Sequence, residues 1–259
     1  GVAPFHEPGF DDLLVKNAQR LHFTTDMAAA ADAKVHFIAV GTPQSADGSA
    51  DMTYVNAAIE GLIPYLSPGD LVVGKSTVPV GTAQRLSESV VSSGAILMWN
   101  PEFLREGFAV EDTLSPDRLV YGLPEGESGD AALAILDSVY ELILAKQTPR
   151  LVMNFATAEL VKVAANSFLA TKISFINAMA EIAEVTGANV TELADAIGHD
   201  SRIGRRFLNA GIGFGGGCLP KDIRGFVARA EELGVGQSLD FLKDVDAINL
   251  RRRARVVDV

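Results

Sequence analysis

The single cysteine of the chain, Cys218, stands in Gly211-Ile212-Gly213-Phe214-Gly215-Gly216-Gly217-Cys218-Leu219-Pro220-Lys221-Asp222. Glycines strip the backbone on one side of the thiol of side chains, and Lys221 on the other side offers a cation that favours a thiolate. That is the environment of a nucleophile. A lone cysteine inside an apolar helix would read as a small buried hydrophobe, but a glycine-rich loop makes a poor core. Gly211, Gly213 and Gly216 also match G-x-G-x-x-G, a dinucleotide fingerprint that requires a strand before it and a helix opening at its last glycine. Residues 201–210 show neither alternation nor a β-branched run, so the sequence predicts a loop without that role.

A second chemical pair lies in the stretch 156–186, which is rich in Ala, lacks Gly and Pro, and ends at Gly187. It predicts one long helix on which Lys162 and Asn166, four residues apart, share a face. Leu160, Val161, Val163, Ala164, Ala165, Phe168 and Leu169 leave little room there for a solvated side, so both residues are expected to point into a polar pocket. For Lys172 and Glu181 a pocket and an exposed face fit the pattern equally. The four histidines do not cluster at metal-ligand spacing, and no metal is expected.

These residues need a scaffold, and the patterning supplies one. Apolar runs alternate with amphipathic segments in the rhythm of an α/β fold. Strands are predicted over 34–40, 71–74, 95–99 and 118–122, and helices over 51–66, 81–91, 130–144, 189–199 and 221–233. Three of the strands end in polar turns, and in open parallel sheets ligands bind beyond the carboxyl ends of the strands. Thr42, Thr77 and Glu102 are therefore expected to converge on one crevice. The run Arg251-Arg252-Arg253 is expected on the solvated face of a terminal helix.

With 259 residues, 48% of them hydrophobic, the chain has material for one large or two ordinary domains. A net charge of −11 argues against a nucleic-acid or anionic-membrane surface. One cysteine excludes an internal disulfide framework, and no segment reads as a signal peptide or membrane span; a cytoplasmic location is expected. The chain opens Gly1-Val2-Ala3-Pro4 without Met and stops at Arg255-Val256-Val257-Asp258-Val259 within a regular segment, and is expected to be an excerpt.

Six segments in order resemble one family: Val40-Gly41-Thr42-Pro43; Lys75-Ser76-Thr77-Val78-Pro79; Asn100-Pro101-Glu102-Phe103-Leu104-Arg105-Glu106-Gly107; Glu159-Leu160-Val161-Lys162 with Asn166; Ala170-Thr171-Lys172-Ile173-Ser174-Phe175; and the Cys218 loop through Asp222. Together they resemble the UDP-glucose 6-dehydrogenase family across nearly the whole chain. GDP-mannose dehydrogenase is the nearest competitor, although Ser201-Arg202-Ile203-Gly204 and Ser115-Pro116-Asp117-Arg118 look more like the UDP-glucose branch. One departure is Asn177-Ala178, where the family commonly has Asn-Glu.

The resemblance implies an α/β fold, an incomplete Rossmann-like doubly wound parallel sheet followed by an all-helical central dimerisation domain with a long connecting helix. It places an NAD-binding domain at 1–153 without its first β-α-β unit, the helical domain at 154–240, and at 241–259 the start of a linker helix toward a C-terminal UDP-binding domain outside this chain. It implies NAD as cofactor, UDP-glucose as substrate, and a homodimer built on the helix 156–186. Cys218, Lys162, Asn166, Asp222, Glu102 and Thr77 would be catalytic. Val40, Gly41, Thr42, Pro43, Ser76, Thr77, Glu106 and Lys221 would bind the cofactor. The substrate would meet Glu102, Phe103, Leu104, Lys162, Asn166, Arg202, Phe207, Asn209, Gly211, Gly213 and Phe214. Another nucleotide-sugar 6-dehydrogenase, or a dimeric nucleotide-binding fragment without turnover, are the alternatives.

Overall fold

The computed structural model describes residues 3–257; Gly1-Val2 and Asp258-Val259, part of the chain ends read as those of an excerpt, lie outside the described residues. Two compact units emerge, Gly1–Thr42 with Met52–Lys162, and Pro43–Asp51 with Val163–Val259. Among the described residues no helix is long and apolar enough to cross a membrane.

The first unit is layered α/β. Helix α1 (Phe10–Asn17) precedes β1 (Val35–Ile38), α2 (Thr53–Leu62), β2 (Leu71–Gly74), α3 (Thr82–Val91), β3 (Ile96–Trp99), α4 (Ala109–Leu114), β4 (Leu119–Leu123), α5 (Glu127–Val139), α6 (Glu141–Leu144) and β5 (Arg150–Asn154). The five strands form one sheet in the order β1-β2-β3-β4-β5. Alternation along β2 explains the layers, because successive side chains of a strand point to opposite faces. Val72 joins Leu97, Trp99 and the α2 and α3 residues Ile59 and Leu86, whereas Leu71 and Val73 join Met98, Tyr121 and the α5 residue Leu136. Both faces are thus covered by helices, as expected of a doubly wound sheet.

Three features depart from the sequence expectation. The β3–β4 pair is antiparallel, at Trp99 opposite Gly122, while the other pairs are parallel; a period of two looks the same in either direction. The edge strand β5 was not expected. It pairs only with β4, and Leu151 and Val152 remain exposed, so it lacks the apolar signature of an interior strand. The helix expected over 130–144 is broken at Tyr140, where the backbone leaves the helical region.

Buried carboxylates fasten the loops of this unit. Glu159 accepts from the backbone N–H groups of Gly81 and Ala83, both at 2.7 Å, at the head of α3. Glu7 does the same for Gly107 (3.0 Å) and Ala109 (2.7 Å) at the head of α4. Each satisfies donors that a helix start leaves unpaired. The Trp99 ring lies over Gly74, where any Cβ would collide with it.

The second unit is helical. Helix α7 (Phe155–Thr186) gives residues 155–162 to the first unit and the remainder to the second, followed by α8 (Val190–Gly198), α9 (Leu219–Glu232) and α10 (Asp240–Val257). Asn189 caps α8 by accepting from the N–H groups of Thr191 and Glu192. Ala170, Phe214, Ile223, Val227 and Leu242 form one core cluster, and Ile176, Ala194 and Leu208 another. Arg251 and Arg253 are exposed on this terminal helix as expected, Arg252 is partly covered, and ion pairs add to that solvated face. Arg251 bonds Glu181 at 3.1 Å, and Arg252 bonds both Glu184 (3.1 Å) and the Gly211 carbonyl (2.9 Å). Arg255 adds a 2.6 Å bond to Glu184. Acidic residues on the last turns of α7 thus hold α10.

Candidate active site

In the first unit the turns after β1 and β2 are laced together. Thr42 donates its hydroxyl to the Thr77 carbonyl (2.8 Å), and Ser76 donates to the Val40 carbonyl (2.6 Å). Gly41 leaves open space where a side chain would stand, so a planar group can lie against the backbone there. Of the three residues expected to share one crevice, Thr42 and Thr77 are thus hydrogen-bonded neighbours, and Pro43 is exposed.

Glu102 follows Asn100-Pro101 at the end of β3. One carboxylate oxygen lies 3.1 Å from Lys162 Nζ, and the other accepts from the Leu104 N–H at 2.6 Å. The Lys162 side chain is 6% exposed against 29% for Glu102, so the ammonium is buried while its partner keeps some contact with solvent. Phe103 lies between two cations, with the Arg118 guanidinium 4.1 Å and Lys162 Nζ 5.4 Å from its ring centre. Leu104 and Glu106 are exposed.

Beside this pair stands a cluster to whose members the sequence assigned no role. Lys75, which directly follows β2, donates to Asn100 Oδ1 at 2.9 Å and to the Tyr140 hydroxyl at 3.4 Å. Tyr140 donates to the same Asn100 oxygen (2.8 Å), and Asn100 Nδ2 donates to the Val120 carbonyl (2.9 Å). Burial, with a smaller contribution from Lys162, pushes Lys75 down to about 8, against the opposing pull of Glu102. Burial pushes the Tyr140 phenol up to about 12. A lysine closing an apolar strand ordinarily reads as its solvated end, so local pattern gives no sign of these partners.

In the second unit, no strand precedes the glycine loop and Cys218 is exposed. Cys218 occupies the cap position of α9, where the first N–H groups of the helix favour negative charge. Asp222, one turn on, is buried; its oxygens accept from Asn166 Nδ2 and Lys221 Nζ, both at 2.7 Å. Lys221, read as a cation for the thiolate, is thus engaged with Asp222. Lys172 donates to the carbonyls of Ile203 (3.0 Å) and Gly204 (3.1 Å), which resolves its role as an anchor for that turn. Exposed Arg202 pairs with Asp200, and Asn209 accepts from Arg205 at 2.8 Å. Phe207 adopts a positive φ of 66°.

The loop before Cys218 is fixed by two asparagines. Asn177 accepts from the Gly211 N–H (2.9 Å). Asn249 on α10 accepts from the Phe214 N–H (2.7 Å) and donates to the Phe214 carbonyl (3.0 Å), with Phe214 itself buried. Gly213 has φ +102°, and the Asn249 amide fills the place of its missing Cβ. Asn249 carried no local signal, standing between Ile248 and Leu250 in a helix. Asn249→Ala should cost about 2–6 kcal/mol, because two buried backbone groups lose their partners at roughly 1–3 kcal/mol each. Urea denaturation checks the cost, and amide exchange at Phe214 should accelerate; a change below about 0.5 kcal/mol would refute the clamp.

Residues 1–144 match the model of the UDP-glucose/GDP-mannose dehydrogenase family, NAD binding domain, and residues 156–251 match its central domain. The chain belongs to the UDP-glucose/GDP-mannose dehydrogenase family. UDP-glucose 6-dehydrogenase TuaD of Bacillus subtilis (strain 168) is 44% identical over 100% of the chain and 56% of its own length. The UDP-glucose 6-dehydrogenase of Pseudomonas aeruginosa is 42% identical over 98% of the chain and 57% of its own. Among solved structures, a UDP-glucose dehydrogenase from Pyrobaculum islandicum superposes with a TM-score of 0.87 at 39% identity, covering 96% of this chain and 58% of that one. A GDP-mannose dehydrogenase from Pseudomonas aeruginosa gives 0.71 at 30% identity, covering 96% and 59%. The chain spans little more than half the length of these members of the dehydrogenase family. Their fold is the one seen here, a Rossmann-like sheet unit followed by helices that begin with a long one.

Proposed function

We propose that this chain carries out the NAD-dependent, two-step oxidation of UDP-glucose to UDP-glucuronate, with residues 1–153 as the NAD-binding domain, 154–240 as the helical catalytic domain and 241–259 as the start of a linker. The observation that carries the reading is the exposed Cys218 at the head of α9, on a loop held by Asn177 and Asn249. A module that only binds a nucleotide has no need of such a thiol. Higher identity to the UDP-glucose than to the GDP-mannose enzyme structure supports the choice of sugar nucleotide.

Bound NAD would accept a hydride in each of the two oxidations. The turns at Val40-Gly41-Thr42-Pro43 and Ser76-Thr77, with open Gly41, suit its approach, and Glu106 and Lys221 complete the assigned contacts. In the first oxidation the C6 alcohol becomes an aldehyde. The Cys218 sulfur then adds to the aldehyde carbon, giving a thiohemiacetal, and loss of the second hydride gives a thioester. Water attacks the thioester, releasing the acid and restoring the thiol. Lys162 supplies charge for the oxyanions and Asn166 a hydrogen bond. Asp222 orients Asn166 and, with Thr77, would hold a water, while Glu102 takes the water's proton. The substrate contacts assigned to Phe103, Leu104, Arg202, Phe207, Asn209, Gly211, Gly213 and Phe214 follow from the same reading.

A homodimer through α7 belongs to this proposal. Phe168, Phe175 and Ile182 are exposed at intervals of seven residues, which places them on one stripe of the helix. The test is the product ratio in a protein of the relatives' full length carrying this chain. Two NADH should form for each UDP-glucuronate, with GDP-mannose giving far less, and sedimentation of the same sample should show a dimer. A ratio of one, or equal rates with both sugar nucleotides, would overturn the assignment.

A further inference from the structure

We propose that Lys75 is a positioning residue of the dehydrogenase, seated by Asn100 and Tyr140 so that its ammonium serves as the second cation of the Glu102–Lys162 cluster. The inference rests on the proposed function and adds a residue to it. Three observations converge. Lys75 Nζ is held at 2.9 Å from Asn100 Oδ1 and 3.4 Å from the Tyr140 hydroxyl. Asn100 is itself anchored to the Val120 carbonyl and lies two residues before Glu102. Glu102 and Lys162 both act on Lys75 electrostatically, in opposite senses.

The charge count gives the cluster its purpose. Two ammonium groups against one carboxylate leave a net charge of +1, where Lys162 and Glu102 alone would be neutral. A net positive group in a poorly hydrated place stabilises an oxyanion as it forms and requires no reorganisation to do so. Asn100 accepts from both Lys75 and Tyr140, and the tyrosine stays protonated across the working range of pH, so the ammonium is offered oxygen acceptors but no second carboxylate. A lysine merely closing a strand needs neither of these partners.

Since burial pushes Lys75 down to about 8, the charge is also expected to be titratable, and a bound oxyanion should draw that transition upward. Competitive acetylation read by mass spectrometry at a series of pH values should show Lys75 titrating near 8, with Glu102→Gln moving the midpoint lower because the opposing charge is gone. A midpoint at the ordinary lysine value, or one indifferent to Glu102→Gln, overturns the proposal without any need for activity. In a full-length protein carrying this chain, Lys75→Met should lower kcat roughly tenfold or more, leave KM for UDP-glucose within about twofold, and remove the alkaline limb of the kcat profile. Lys75→Arg should recover part of kcat by restoring a permanent cation. If Lys75→Met folds and shows unchanged kcat and pH profile in an active enzyme, Lys75 has only a structural role. Absence of UDP-glucuronate from the unsubstituted protein instead overturns the functional reading, and this inference with it.

Discussion

Cys218→Ser, introduced into a protein of the relatives' full length, should abolish release of UDP-glucuronate. A serine hydroxyl is almost wholly protonated near neutral pH and is a far poorer nucleophile than a thiolate, so covalent capture of the aldehyde fails. The fold should be unaffected, because Cys218 is exposed and the replaced atom is not part of a core. Anion-exchange chromatography of the sugar nucleotides, with circular dichroism of the same sample, reads both parts. UDP-glucuronate at the unsubstituted rate would remove the thiol from the mechanism and, with it, the main support for a catalytic reading.

Lys162→Ala should lower turnover by roughly two orders of magnitude, the scale for losing one oxyanion-stabilising group. Its effect on folding depends on a pairing that the sequence did not show. A buried lysine without a partner can be removed at little cost, but Lys162 lies 3.1 Å from Glu102, and removing one member of a buried pair leaves the other uncompensated. Because Glu102 retains contact with water, the expected loss is about 1–3 kcal/mol rather than the full cost for a buried pair. Single-turnover kinetics and chemical denaturation separate the two effects. Unchanged turnover alongside lowered stability would make Lys162 a structural residue.

Much of the scaffold was legible because it depends on local pattern. The run Leu71-Val72-Val73-Gly74 is apolar on both sides and could only be an interior strand, and it forms with both faces buried. The stretch from 156 to 186 lacks helix breakers, and α7 runs unbroken through it. The exposed cysteine at the end of a glycine loop was visible for a related reason, since glycines exclude the side chains that would bury it. The resemblance to the dehydrogenase family rested on short segments whose residue types and order survive without knowledge of their neighbours.

Long-range pairing was not legible, because no local pattern encodes it. The reversal between β3 and β4 and the edge strand β5 depend on which strand lies alongside, while side-chain alternation reports only faces. Lys75, Asn100 and Tyr140 are separated by 25 and 40 residues and meet because the ends of β2, β3 and α5 are brought together by the sheet. Asn249 reaches Phe214 across 35 residues, and the arginines of α10 find Glu181 and Glu184 about 70 residues away. In each case an isolated polar residue reads as solvated from its neighbours in sequence. For Asn100 and Asn249 burial removes water, and a polar group without water must take its hydrogen bonds from whatever the fold places beside it, whereas the α10 arginines stay partly in water and pair at the surface with the carboxylates the fold brings near.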